Sequence, residues 1–259
     1  MNKLLSLPSL FLFLLLSGCS PQAENNEQIE ITISAAASLT EVLSELELLY
    51  EEEKNQDINL LFNFGGSGSL QQQILQGAPV DLYFSAAEDK YDQLLERGMI
   101  DANYSSDLIT NELVLITPTG ASSKMKDFSD LVSDEISRIA IGTPETVPAG
   151  QYAKQAIENM GIWDKLSGKI IPTKDVRQVL SYVETNNVDA GIVYKTDALV
   201  SKKVKMIATV DSSLHDSIVY PVGVISNSKQ KDEAIDFFHY LQTESAIAIF
   251  KKFGFELVR

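Results

Sequence analysis

Cysteine and basic residues are scarce in this chain of 259 residues. The one cysteine, Cys19, excludes a disulfide within the chain and a metal cluster held by cysteines. Only 21 Lys and Arg stand against 36 Asp and Glu, so the formal net charge is −15 at pH 7. Nucleic acid and anionic lipid surfaces would repel such a protein, and neither is an expected partner. Any attachment to a membrane would have to come from acyl chains.

The first 18 residues have the pattern of an export signal. Lys3 provides a basic start, Leu4 to Leu16 is mostly apolar, and LSGC follows at Leu16 to Cys19. The apolar run is too short to span a bilayer comfortably, which favours a signal peptide over a transmembrane helix. LSGC resembles the lipobox of bacterial lipoproteins. This resemblance implies cleavage before Cys19 and acylation of that cysteine, with residues 1–18 removed.

Residues 19–28 continue as SPQAENNEQ after the cysteine. They are polar or acidic and offer nothing to pack, so we predict a flexible tether. The folded body is expected to begin near Ile29. What remains is long enough for one large domain or for two lobes of ordinary size.

Along the body, predicted strands alternate with amphipathic helices, which is typical of an α/β protein with largely parallel sheets. INLLFNF, VDLYFS, NELVLITP, RIAIGTP, DAGIVY and VYPVGVIS are the predicted strands. Apolar residues recur every three or four positions in the first helix, at Leu39, Val42, Leu43, Leu46, Leu49 and Tyr50. This spacing predicts one buried helix face.

Four predicted helices begin beside small, donor-rich loops: ASLT, GGSGSL, TVPAGQY and TKDVRQVL. Backbone N–H groups at a helix start have no partner within the helix and carry partial positive charge. If the four starts converged, they would form an anion pocket made of neutral donors alone.

Each of these features also has a purely structural interpretation. Ser38 followed by Glu41 fits a capping box, which local sequence alone favours. GGSGSL lacks the Lys of a P-loop, and Ser69 stands where a nucleophile elbow centred on Ser67 needs its last glycine. Tyr194, at the end of an apolar strand, is by itself typical of a partly buried core tyrosine. No enzyme motif therefore survives.

Six motifs, in order along the chain, resemble those of one protein family. They are AAASLT at Ala35–Thr40, F-x-x-S-x-S-L at Phe64–Leu70, GAPVDLYFSA at Gly77–Ala86, VPAGQYAKQA at Val147–Ala156, DVR at Asp175–Arg177 and GIVYKTDA at Gly191–Ala198. IFKKFGFE near the C-terminus is similar to that family's closing helix. The family is the periplasmic molybdate-binding protein of the ABC-type molybdate importer. The resemblance covers essentially the whole mature chain.

The resemblance implies a two-lobed periplasmic-binding-protein fold of type II. Each lobe would be a mostly parallel sheet flanked by helices, with one tetrahedral oxyanion in the cleft between them. Two hydroxyls, two backbone N–H groups and a tyrosine would hold the ion, at Ser38, Ser67, Ala149, Val176 and Tyr194. Ser69 is the alternative to Ser67, which the spacing favours. The lobes are expected at 29–111 with 220–259, and at 112–219.

The implied function is capture of molybdate, and of tungstate, for an ABC permease with its ATPase. The resemblance implies a binding protein and not an enzyme, without a cofactor or a bound metal cation. We expect an exported monomer, anchored by lipid at the outer face of the cytoplasmic membrane or in the periplasm.

The chemistry of the implied donor set agrees with molybdate. Molybdate is a dianion without a proton at neutral pH, so its oxygens only accept, whereas phosphate keeps a proton that wants an acceptor. Sulfate and thiosulfate stay open as ligands of the same fold.

A ferric-ion binder would want clustered tyrosines. An exported hydrolase using Ser67 would need a base, for which His215 is the one candidate outside the C-terminal helix. Arg177 and Lys195, beside the site in sequence, are interpreted as solvated surface charges.

Overall fold

The computed structural model describes residues 29–54, 58–121 and 125–258. The predicted signal peptide, Cys19 and the tether lie outside the described residues. Within these residues, none of the helices is both long enough and apolar enough to cross a membrane.

Eleven strands and nine helices make up the described chain. The strands are β1 (Ile29–Ala36), β2 (Ile58–Gly65), β3 (Leu82–Phe84), β4 (Ile100–Thr110), β5 (Leu113–Pro118), β6 (Ile139–Gly142), β7 (Ile170–Thr173), β8 (Ala190–Tyr194), β9 (Val204–Thr209), β10 (Val219–Ile225) and β11 (Glu256–Leu257). The helices are α1 (Thr40–Glu53), α2 (Ser67–Leu75), α3 (Glu88–Glu96), α4 (Pro148–Asn159), α5 (Trp163–Leu166), α6 (Val176–Glu184), α7 (Lys195–Leu199), α8 (Lys231–Tyr240) and α9 (Glu244–Lys252). Short 3₁₀ turns lie at Ala37–Leu39, Phe128–Val132 and Ser212–Leu214.

The strands form two separate sheets. The first has the order β11-β4-β10-β3-β1-β2, and the second has the order β7-β6-β8-β5-β9. We call the elements around the first sheet lobe 1 and those around the second sheet lobe 2. The predicted α/β class is confirmed. We keep the lobe limits of 29–111 with 220–259, and of 112–219, as a proposal, since the strands of each sheet fall within a residue of these limits.

Both sheets are mixed, which differs from the expectation of mostly parallel sheets. β1 runs parallel to β2 and β3, and β6 runs parallel to β7 and β8. β10 is antiparallel to β3 and β4, and β5 is antiparallel to β8 and β9. The physical reason is the crossing between lobes. β5 and β10 are the first strands after each crossing, so each enters its new sheet without a βαβ connection, which parallel neighbours require.

Strand β4 was not predicted, although it is the longest strand in the described chain. Its sequence, IDANYSSDLIT, has buried residues only at Ile100, Leu108 and Ile109. The run between them is polar and shows no alternation of apolar residues, which is the usual sign of a strand. Its pairing with β10 is therefore a tertiary effect.

The apolar faces predicted from helical spacing are buried. In α1 these are Val42, Leu43, Leu46 and Tyr50, and in α6 they are Val176, Val179, Leu180 and Val183. Burying one such side chain stabilises the fold by about 1.5–3 kcal/mol. The two helices thereby become fixed on their sheets, and their first turns point at the space between the lobes.

Gly150, in the first turn of α4, allows this helix to touch strand β6. A Cβ built on Gly150 would lie 1.9 Å from the carbonyl oxygen of Gly142. Gly150→Ala should therefore cost about 2 kcal/mol through overpacking and lower Tm by roughly 4–8 °C. Gly168→Ala is the control, because a Cβ there meets nothing within 4 Å. Equal Tm values for the two variants, measured by calorimetry, would contradict this reading of the contact.

Candidate binding site

The five residues predicted to bind the anion lie around one cavity between the lobes. The cavity is lined by Ala36, Ala37, Ser38, Gly65, Gly66, Ser67, Ala86, Val147, Pro148, Ala149, Val176 and Tyr194. About 10 Å³ of it is open to the centre of a water-sized sphere, which is room for about one water. Ser69, the alternative to Ser67, is not among the lining residues. Within the described chain the lining contains neither an acidic nor a basic side chain.

The lining residues follow the carboxyl ends of parallel strands. Ser38 comes after β1, Ser67 after β2 and Val176 after β7, while Tyr194 ends β8. Ligands of open α/β sheets bind at this edge, because the loops that leave parallel strands meet there. The topology thus brings residues far apart in sequence to one point.

Four segment starts meet at the cavity. They are the 3₁₀ turn that leads into α1, and the first turns of α2, α4 and α6. The N-cap residues of α2 and α4, Gly66 and Val147, provide no side-chain cap. Pro148 has no N–H, so Ala149 carries the first N–H of α4. At α6 the side chain of the N-cap residue, Asp175, accepts from one N–H of the first turn. The remaining backbone donors of the four starts are free to face an anion.

The glycines of the GGSGSL loop permit close approach of the two lobes. A Cβ on Gly66 would lie 2.7 Å from the carbonyl oxygen of Thr146, and a Cβ on Gly68 would lie 2.9 Å from the Cα of Thr146. The N–H of Gly68 donates to that carbonyl at 3.0 Å. The loop is thus more than a tight turn, since its glycines bring Ser67 against lobe 2.

Ser67 is held as a donor by its neighbours. The N–H of Ala86 donates to Ser67 Oγ at 2.9 Å, and the hydroxyl of Tyr83 donates to the Ser67 carbonyl at 2.8 Å. Because Ser67 Oγ already accepts a bond, its own proton is available to the cavity.

Ser38 is not part of the capping box that its spacing to Glu41 suggested. The 3₁₀ turn and α1 both lack a side-chain cap. Ser38 Oγ instead lies 2.9 Å from Tyr220 Oη, while Glu41 forms an ion pair with Arg177. Tertiary partners have therefore replaced the local bonds that the sequence pattern indicated.

The hydroxyl of Tyr194 is buried and has no hydrogen-bond partner within the described part of the chain. Burial, the largest cause, raises the pKa of Tyr194 well above its ordinary value, so the hydroxyl keeps its proton. A buried hydroxyl without a partner is costly and requires an explanation. Since Tyr194 lines the cavity, a bound acceptor there would satisfy it.

Arg177 is not the solvated surface charge that its position suggested. Its guanidinium pairs with Glu41 at the start of α1, and its Nη1 lies 3.5 Å from Asp197 Oδ1 in α7. Asp197 is buried and also accepts from the N–H of Tyr194 at 3.3 Å. The positive charge of Arg177 thus joins the two lobes beside the cavity. Lys195 pairs with Glu112 at the surface, as expected.

The structure adds two residues near the cavity that sequence reasoning missed. Asn111 Nδ2 donates to Tyr220 Oη at 3.2 Å and to Thr196 Oγ1 at 2.9 Å. In the sequence, Asn111 and Tyr220 stand only at the expected lobe limits, and Tyr220 also lies in the predicted strand VYPVGVIS. Neither belongs to a local motif, so only the pairing of β10 in the first sheet reveals them.

His215, the base that a hydrolase would need, is not among the cavity residues. Its Nδ1 lies 2.7 Å from the carbonyl oxygen of Asp216.

A second cavity, of about 460 Å³, lies beside the amino ends of β1 and β3 and includes Glu30 and Asp81. Its lining has two carboxylates against one basic residue, Lys229, and it lies at the amino ends of the strands, so it suits an anion less well than the first cavity.

The sequence model described as "Bacterial extracellular solute-binding protein" matches residues 31–256. This chain belongs to that family. The family consists of solute-binding proteins and not of enzymes, which confirms the expectation from the sequence. Its members are extracellular, in line with the expected export.

Individual relatives cover nearly the whole chain. A candidate ABC transporter substrate-binding lipoprotein, YvgL of Bacillus subtilis (strain 168), is 48% identical over 94% of both chains. The molybdate-binding protein ModA of Escherichia coli (strain K12) is 38% identical, over 88% of this chain and 89% of its own. Among solved structures, the substrate-binding domain of a candidate molybdenum ABC transporter from Clostridium difficile is 40% identical. It has a TM-score of 0.68 over 89% of this chain and 100% of its own.

Asp197 should make the stability of the protein depend on pH. Burial raises the pKa of Asp197 to about 7, against the opposing effect of Arg177. Between about pH 4 and pH 7 the unfolded chain therefore loses this proton while the folded chain keeps it. The free energy of unfolding of the wild type, relative to Asp197→Asn, should fall as pH rises through this range. Urea unfolding at several pH values measures it.

Asp211→Asn is the control, because hydrogen bonds from Ser213 lower the pKa of the exposed Asp211. For a lowered pKa the sign reverses, so stability relative to that variant should be lost as pH falls. A difference between wild type and Asp197→Asn that is constant with pH, or that rises with it, would contradict the assignment.

Proposed function

We propose that this protein is the substrate-binding component of an ABC importer and that it captures molybdate or tungstate. The observation that carries the proposal is the lining of the interlobe cavity, which within the described residues contains no acidic or basic side chain. The cavity is lined by Ser38, Ser67, Ala149, Val176 and Tyr194, and the Tyr194 hydroxyl has no hydrogen-bond partner within the described residues. In the proposed complex the two serine hydroxyls, the N–H groups of Ala149 and Val176, and the Tyr194 hydroxyl donate to the ion.

A donor-only lining suits a dianion that carries no proton. Every oxygen of molybdate or tungstate accepts hydrogen bonds, so each donor gains a charged acceptor. Hydrogen phosphate would bring a proton with no carboxylate near to accept it, which leaves a buried donor unsatisfied. Selection against hydrogen phosphate thus follows from donor type. Rejection of the smaller sulfate has to follow from the size of the cavity in the complex, because the space described above has room for about one water and has to widen to admit an oxyanion.

The cavity takes its donors from both lobes. Ser38 and Ser67 belong to lobe 1, while Ala149, Val176 and Tyr194 belong to lobe 2. An ion bound to all five joins the lobes, and its departure leaves them free to separate at the crossings near Asn111 and Val219. Such hinge motions are the usual switch of two-lobed binding proteins. The membrane permease would bind the closed form, in which the ion joins the two lobes.

The relatives support this function and ligand. The Bacillus subtilis relative is named for an ABC transporter, and the Escherichia coli relative is named for molybdate. Tungstate nearly matches molybdate in charge and size, so we propose both as ligands. The protein acts as a monomer in this scheme, with the permease and its ATPase as partners.

Ser38→Ala tests the proposed binding mode. Loss of one hydrogen bond to a charged acceptor costs about 1.5–3 kcal/mol, so the Kd for molybdate should rise by at least about tenfold. Ser44→Ala is the matched control, because Ser44 is exposed on α1 and donates only to the carbonyl of Thr40. Calorimetric titrations with molybdate, tungstate, sulfate and phosphate should show binding of the first two by the wild type.

If sulfate binds more tightly than molybdate, the proposed ligand is wrong and the protein is a sulfate-binding member of the same fold. Equal affinities of wild type and Ser38→Ala would overturn the proposed donor set. Native mass spectrometry of the purified protein gives an independent readout, since it reports the mass of a retained metal oxyanion.

We also propose that Cys19 carries the lipid that holds the protein at the outer face of the membrane. Cys19→Ser should move the protein from the membrane fraction into the soluble exported fraction, because the proposed attachment is made by the acyl groups on Cys19. Asn25→Ala, in the predicted tether, is the control and should stay with the membrane. Immunoblots of cell fractions measure the distribution, and membrane retention of Cys19→Ser would exclude this anchor.

A further inference from the structure

We propose that Tyr220 and Asn111 are positioning residues that fix Ser38 as an obligate hydrogen-bond donor to the anion. The inference rests on the proposed function and deepens it, since it names two residues outside the cavity lining that set which anions the site accepts.

The orientation of the Asn111 amide is settled by its neighbours. Its Oδ1 accepts from the N–H of Glu112 at 2.9 Å, which only an oxygen can do. Its Nδ2 consequently faces the other way and donates to Thr196 Oγ1 and to Tyr220 Oη. Both protons of the amide nitrogen are thereby used.

The bond between Tyr220 and Ser38 is the next one in this chain of contacts. Tyr220 Oη accepts from Asn111, and the phenol has one proton to give. Ser38 Oγ lies 2.9 Å from Tyr220 Oη, and either oxygen of this pair can be the donor. We assign the Tyr220 proton to this bond. Tyr220 is fully buried, and burial is the main cause that raises its pKa well above the ordinary value, so the proton is retained.

Ser38 Oγ is then an acceptor toward Tyr220, and its own proton is directed away from that bond. The cavity is the space that Ser38 lines. Ser67 is oriented in the same way by a single contact, because the N–H of Ala86 donates directly to its Oγ. Each serine then has one lone pair occupied and its proton free for a ligand, which favours a fully deprotonated oxyanion over one that carries a proton.

A double-mutant cycle tests whether Tyr220 acts through Ser38. Tyr220→Phe removes the hydroxyl and keeps the ring that packs against Tyr194 and Phe255. The Kd for molybdate should rise by roughly threefold to tenfold in the wild-type background. In the Ser38→Ala background the same substitution should change Kd by less than about twofold, because the serine that it positions is gone.

Two further variants sharpen the cycle. Asn111→Ala should weaken molybdate binding in the same direction and should also lose its effect in the Ser38→Ala background. Tyr240→Phe is the matched control, since Tyr240 is a buried tyrosine of lobe 1 that does not line the cavity, and its Kd should equal that of the wild type. Tm values check that each variant is folded. Hydrogen phosphate, titrated at neutral pH, should compete with molybdate more effectively in Tyr220→Phe than in the wild type.

The outcomes separate the inference from the proposed function. If the wild type binds molybdate, an unchanged Kd for Tyr220→Phe overturns the inference alone. Additive effects of Tyr220→Phe and Ser38→Ala overturn it as well, because Tyr220 would then act independently of the serine. If the wild type binds no molybdate, the proposed function fails and this inference fails with it.

Discussion

The convergence of four helix starts on one cavity is the constraint on which the rest of this structure depends. Each start has backbone N–H groups that its own helix cannot satisfy, and these groups have to face something. The local sequence is compatible with this arrangement. Gly66 and Gly68 allow the lobes to touch, and Pro148, which has no N–H, occupies the first position of α4, where a helix needs no N–H. The apolar faces of α1 and α6 then fix the direction in which the starts point.

The negative charge of the chain is compatible with an anion site of this kind. A net charge of −15 repels an approaching anion at long range, but salt screens exposed charges beyond about 8 Å at physiological ionic strength. Inside the cavity the nearest partners of an ion are hydroxyl and N–H dipoles, which act at contact distance in a medium of low dielectric constant. Arg177 is engaged with Glu41 and Asp197, so its charge is balanced outside the cavity.

Features set by local sequence could be predicted, and features set by long-range pairing could not. The apolar faces, the glycine-rich loop and the four donor-rich starts were all visible in short windows, and the family resemblance pointed to five residues that the fold brings around one cavity. Strand β4 was missed because its polar middle is stabilised by pairing with β10. Ser38 and Glu41 were read as a local cap because their partners, Tyr220 and Arg177, lie more than a hundred residues away.

The contacts between the lobes explain why an ion between them can control their arrangement. Near the cavity the direct contacts between the lobes include the Gly68 to Thr146 hydrogen bond, the pair of Arg177 with Glu41, and a bond of 3.4 Å from Gln151 to Asp89. At the crossing, Asn111 also donates to Thr196 Oγ1 at 2.9 Å. The side chains of that ion pair are about 30% exposed, and a pair in such a setting contributes no more than about 1 kcal/mol. An ion that bonds to both lobes adds several charge-assisted hydrogen bonds, each stronger than a neutral one. Because a ligand shifts a two-state equilibrium by its difference in affinity for the two states, weak direct contacts leave the ion as the larger influence on closure.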